Sequence, residues 1–163
     1  MRILKSIFVL VLAAAISACA SGATTVLSPP TIATTAAYKT LKIESGTDTV
    51  SIPADARAHF ETRLNEYLLT AKPPTKFTPG SDLTLRYRFI QFDEGSRALR
   101  YLVGLGAGKG KMTAEVVFLD AQSKEVAKIH VEGEISMGFF GGDFDMAISQ
   151  AARQVADYTV KSF

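Results

Sequence analysis

The sequence predicts an α+β fold, a two-layer α/β sandwich in which one mixed sheet carries two helices on one face. Three observations predict it. Apolar and polar residues alternate at strand spacing over 83–89 and 128–137. Apolar residues recur at helical spacing over 56–71 and 148–159. The resulting order is strand, helix, three strands, helix, and packing both helices on one sheet face buries every apolar stripe.

Tyr38, Leu41 and Ile43 mark the first strand, and Gly46, Thr47 and Asp48 a turn. Pro53 stands at the expected first helical position, where its missing N–H costs nothing. Ala56, Phe60, Leu64, Tyr67, Leu68 and Ala71 then form one apolar helix face, and Pro73 and Pro74 stop it. Leu83, Leu85, Tyr87 and Phe89 alternate with Thr84, Arg86 and Arg88 in the second strand. Met112, Ala114, Val116 and Phe118 define the third, followed by a polar turn over 120–125. Ile129, Val131, Gly133, Ile135 and Met137 alternate with Lys128, His130, Glu132, Glu134 and Ser136 in the fourth. Asp143 is placed to cap a last helix whose apolar face is Ile148, Ala151, Ala152, Val155 and Thr159. The strand–helix–strand unit predicts that the first two strands run parallel. The later three are expected to be antiparallel neighbours.

The N-terminus has the shape of a secretory signal. Arg2 and Lys5 give a basic start, and residues 7–16 form an apolar run too short for a bilayer span. Ser17 and Ala18 precede Cys19, the only cysteine of the chain. Small residues before a cysteine resemble the bacterial lipobox, whose cysteine is acylated and becomes the first mature residue. The alternative is an ordinary cleaved signal with an incidental cysteine. Residues 1–18 thus read as a signal peptide and 19–37 as a lipidated flexible tether, small, uncharged and proline-bearing. Residues 38–163 read as a periplasmic α/β domain. Ala20, rather than aspartate, after the cysteine favours the outer membrane in the enteric sorting rule.

The chain has 18 basic and 16 acidic residues, and the two basic residues of the signal account for the excess. A neutral mature domain argues against nucleic-acid binding, which rests on a basic footprint. With Cys19 lipidated, no intrachain disulfide can form, so the fold stands on its core.

Two glycine-bearing loops are predicted at one end of the sheet. The longer runs between Phe92 and Met112, and the shorter contains Gly138, Phe139, Phe140, Gly141 and Gly142. The tether is expected to enter from the opposite end. Arg97, Arg100, Tyr101, Lys109, Phe139 and Phe140 are the candidate partner-binding residues, because arginine and aromatic side chains dominate interface energies. Alternatively, residues 99–103 extend a strand or fold back over the sheet edge. The glycines do not spell a phosphate loop. Val103 and Leu105 stand where the first glycine is needed, and neither Lys109 nor Lys111 is followed by Ser or Thr. Lys109 also breaks the dinucleotide spacing begun by Gly104 and Gly106.

Arg97-Ala98-Leu99, then Gly104-Leu105-Gly106-Ala107-Gly108-Lys109, then a strand ending at Asp120 resemble a bacterial lipoprotein family known as domain of unknown function 4410. The resemblance runs from about Tyr38 to the end. Its plan is similar to periplasmic assembly lipoproteins of the curli-secretion and penicillin-binding-protein-activator kind. This implies an envelope partner and supplies no catalytic residues.

No metal or cofactor site is expected. His130 reads as a solvated side chain on the outer strand face, and His59 as a partly exposed helix residue. Asp143 and Asp145 suit a helix start better than a cation. Asp93-Glu94 and Glu132/Glu134 are neighbours in sequence, not carboxylates facing across a substrate. No Gly-x-Ser-x-Gly turn occurs. The expectation is therefore a non-enzymatic lipoprotein, anchored through Cys19, that binds an envelope protein. A self-associating structural subunit is the alternative, and an envelope hydrolase with dispersed residues a third.

Overall fold

A computed structural model of the chain describes residues 21–30, 38–70, 77–93, 95, 110–135 and 144–163. Strands β1 (Ser21–Ser28), β2 (Thr40–Ser45), β3 (Thr78–Pro79), β4 (Leu83–Asp93), β5 (Gly110–Asp120) and β6 (Glu125–Ile135) form one sheet. Its order is β1-β6-β5-β4-β2-β3. Helix α1 (Ala54–Asn65) continues as a π turn over Glu66–Thr70, and α2 spans Phe144–Ser162. This is the expected mixed sheet with both helices on one face. β2 runs parallel to β4, and β4, β5 and β6 are antiparallel neighbours.

The alternating residues point as their spacing requires. Leu83, Leu85, Tyr87 and Phe89 of β4, Met112, Ala114, Val116 and Phe118 of β5, and Ile129 and Val131 of β6 are all buried toward the helices. Phe60 of α1 meets the Tyr87 and Phe89 rings edge-on at 5.2 and 5.3 Å. Such contacts contribute about 0.5–1.5 kcal/mol each beyond the burial of the rings. α2 buries Ile148, Ala151, Ala152, Val155 and Thr159, its whole predicted face. Its C-terminal neighbour Phe163 packs on Phe118 at 4.9 Å. The polar turn after β5 is organised by Asp120, whose Oδ1 accepts the N–H groups of Gln122 and Lys124, each at 2.9 Å.

Several features differ from the sequence reading. The tether expected over 19–37 gives way at residues 21–28, which form an edge strand paired antiparallel with β6 from Ser21↔Glu134 to Ser28↔Lys128. The physical reason is that β6 offers a free row of N–H and C=O groups, which Thr24, Thr25 and Val26 can satisfy in an extended backbone. Cys19, Ala20 and residues 31–37 lie outside the described residues. β3 adds two parallel residues beside β2. Pro53 is the residue before α1 rather than its first helical residue. Pro73, Pro74 and Asp143, expected to bound the helices, lie outside the described residues.

A bulge also resets β4. Phe89 pairs with Ala114 and Gln91 with Thr113, so Ile90 is the extra residue. A bulge moves every later side chain to the other face. Phe92 therefore points inward, where it meets Phe144 edge-on at 5.0 Å.

α2 lies close to the sheet because the sheet is small beneath it. A Cβ on Gly133 would strike the carbonyl of Ala147, and one on Gly22 would strike the Gln154 amide and, at 2.6 Å, the Glu132 carbonyl.

Candidate functional site

The residues assigned a role from sequence, namely Cys19, Arg97, Arg100, Tyr101, Lys109, Phe139 and Phe140, lie outside the described residues. The framework around them is described. Residues 94–109 connect the end of β4 to the start of β5, and residues 136–143 connect the end of β6 to the start of α2. Because β4 and β6 run alike and β5 opposes them, both connections belong to one end of the sheet, as expected. β1 runs antiparallel to β6, and Ser21 pairs with Glu134. The chain therefore enters the sheet at this same end. The link from β1 to β2 reaches β2 from the opposite end, where the sequence placed the junction with that strand, but the added strand β1 brings the first entry to this end.

At this end Lys111 Nζ stands 3.3 Å from Glu132 Oε1. The Gly95 N–H donates to Asp93 Oδ1 at 2.8 Å, with Gly95 at φ 65°, a conformation that suits glycine. Met146, in the first turns of α2, is 47% exposed.

The sheet face away from the helices is a lattice of opposite charges. Glu44 binds Lys42 at 2.6 Å and Arg86 at 2.9 Å. These hydrogen bonds, Lys42 first, hold its carboxyl below the usual range. Glu115 takes Arg88 at 2.7 Å and His130 Nε2 at 3.2 Å. Burial opposes its ionisation, yet the hydrogen bonds from His130 and Arg88 outweigh burial and keep its pKa low. His130 is thus on the outer face as expected, but it is half-buried and bonded rather than merely solvated. The register carries this cluster, since Glu115 faces Arg88 on one side and His130 on the other. That signal was present in the alternation of the sequence.

A groove of about 420 Å³ separates the outer sides of α1 and α2, lined by His59, Arg63, Tyr67, Asp145, Ser149 and Arg153 among others. His59 Nε2 lies 2.9 Å from Ser149 Oγ, and His59 Nδ1 lies 3.7 Å from Asp145 Oδ1. The guanidinium of Arg153 stacks over Tyr67 at 5.3 Å. Hydroxyl, imidazole and carboxylate follow the order of a nucleophilic triad. The second spacing is too long for a hydrogen bond. Ser149 also sits inside a helix, where the nearby N–H groups serve the helix and cannot form an oxyanion hole. The arrangement fits a lock between two helices better than acyl transfer. Sequence reasoning missed it, because 90 residues separate His59 and Ser149. Among the described residues no cluster of three or more His, Cys, Asp or Glu side chains could hold a metal ion. No described helix is long and apolar enough to cross a membrane.

The family model described as Domain of unknown function (DUF4410) matches residues 26–138. No curated protein matches the chain. Two solved structures of dodecameric PelC from Paraburkholderia phytofirmans are similar in fold. A point variant of PelC superposes with a TM-score of 0.50 at 12% identity, over 87% of this chain and 98% of that one. A second PelC structure gives a TM-score of 0.50 at 10% identity, over 83% of this chain and 94% of that one. At these identities the likeness is one of fold.

Proposed function

We propose a role from the premise that the chain belongs to the DUF4410 family, whose model covers residues 26–138. The protein is a lipoprotein acylated on Cys19, held at the outer membrane and facing the periplasm. It acts without catalysis, as a binding or accessory module for an envelope component. One observation carries this reading. The lipobox-like Ser17-Ala18-Cys19 is separated by a single residue, Ala20, from an edge strand of the sheet. An acylated cysteine there would fix a folded binding domain directly to the membrane.

Self-association is the second reading. Among the described residues β1 is paired on one side only, with β6, and so presents an open edge. An open edge is a template for another strand. The PelC structures of similar fold are dodecamers, which supports a multi-subunit assembly.

Mild crosslinking in intact cells, affinity capture and mass spectrometry test both readings, with Cys19→Ala as control. Specific envelope partners that disappear in the control support anchored recognition. Self-crosslinks alone favour the assembly subunit. Absence of any specific crosslink contradicts both.

A further inference from the structure

We propose that the domain stands on the membrane on one defined end, the end where β4 and β6 finish and β1 starts, with the β5–β6 turn directed away from the lipid. This deepens the lipoprotein reading and rests on it.

Only Ala20 separates Cys19 from Ser21, so the backbone from the cysteine to the strand spans at most about 7 Å. Ser21 is fixed by pairing with Glu134, one residue from the end of β6. The 11 residues of β6 run from there to the opposite end, a length of roughly 35 Å at strand rise. An anchor at Cys19 therefore holds one end of the sheet within a few residues' reach of the lipid and leaves the other end a strand length away. The flexible tether expected from the sequence would have allowed any orientation.

One further feature argues against lying on the outer sheet face. The outer sheet face carries the Arg86–Glu44 and Arg88–Glu115 ion pairs, whose burial against lipid would strip water from charges.

The chain contains no tryptophan, so a single introduced indole reports position without background. The full acylated protein is reconstituted into vesicles of phosphatidylethanolamine and phosphatidylglycerol that carry a dansyl-headgroup lipid. Energy transfer is measured from Met146→Trp at the near end and Gln122→Trp at the far end, both exposed positions. Asp93→Trp, also exposed at the near end, is the second near reporter. The expected transfer from either near reporter is at least about threefold that from Gln122→Trp, given a separation on the scale of a full strand. Equal transfer, or stronger transfer from position 122, overturns the orientation. The mass of the N-terminal peptide separates the two failures. An acylated peptide with equal transfer defeats only the orientation, whereas an unacylated Cys19 defeats the lipoprotein reading and the orientation with it.

Discussion

The Thr24 hydroxyl donates to Gln154 Oε1 at 3.0 Å, joining a residue five positions after Cys19 to the last helix of the chain. The other end of the same amide donates from Nε2 to the Glu132 carbonyl at 3.1 Å. Gln154 thus clasps β1, β6 and α2 together over Gly22, where a side chain would leave it no room.

Gln154→Ala removes both bonds. The expected loss is about 1–2 kcal/mol in urea unfolding, the usual range for two partly exposed hydrogen bonds. Amide exchange in residues 21–28 should accelerate before that of the central strands.

Gly133→Ala tests the close approach of α2. The new methyl meets the Ala147 backbone carbonyl rather than a movable side-chain tip, so the helix must shift. A loss of about 1–3 kcal/mol is expected, as for other overpacked cores. The melting temperature of the purified protein checks it.

Glu115→Gln tests the charged face. Glu115 has a folded pKa below its ordinary value of 4.5. Its contribution is therefore present above the unfolded value and is lost as pH falls through the lowered folded value. At pH 7 the variant should be about 1 kcal/mol less stable, since Arg88 is partly solvated. The gap between the two proteins should close in strong acid. A pH series of urea titrations on both reads this directly.

Tyr87→Phe tests the alkaline side. Burial first, and then the neighbouring Glu61 carboxylate, push the Tyr87 phenol up to about 12. Its hydroxyl donates to Glu61 Oε2 at 3.0 Å. A raised phenol stabilises the fold fully below the ordinary value of 10.0, and that stability is lost as pH rises toward 12. The variant should lose about 1–2 kcal/mol at pH 7 through the missing hydrogen bond. Its stability should also fall less steeply above pH 10.

The central sheet and both helix faces were legible in the sequence because each position there answers to one periodicity. Leu83 to Phe89 alternate, and Ile148 to Thr159 recur at helical spacing. β1 was less legible. Ser-Gly-Ala-Thr-Thr-Val-Leu-Ser shows no apolar alternation, because its inner face meets Gln154 through Gly22 and Thr24 rather than a hydrophobic core. The β-branched run Thr24, Thr25, Val26 was the available signal. The Ile90 bulge was hidden in the same way. Phe92 falls out of phase with Phe89, and only the Phe144 ring across the domain accounts for its direction. The His59–Ser149 contact depends on how α1 and α2 cross, which no local pattern encodes.

Residues 21–28, close behind Cys19, are part of the sheet and not a tether. Hydrogen exchange of the full chain, read on the peptide covering residues 21–28, tests this most directly. These amides are expected to be protected wherever they pair with β6, with slow exchange relative to an unstructured peptide of the same sequence. Exchange at the unstructured rate throughout residues 21–28, while β6 stays protected, would contradict it.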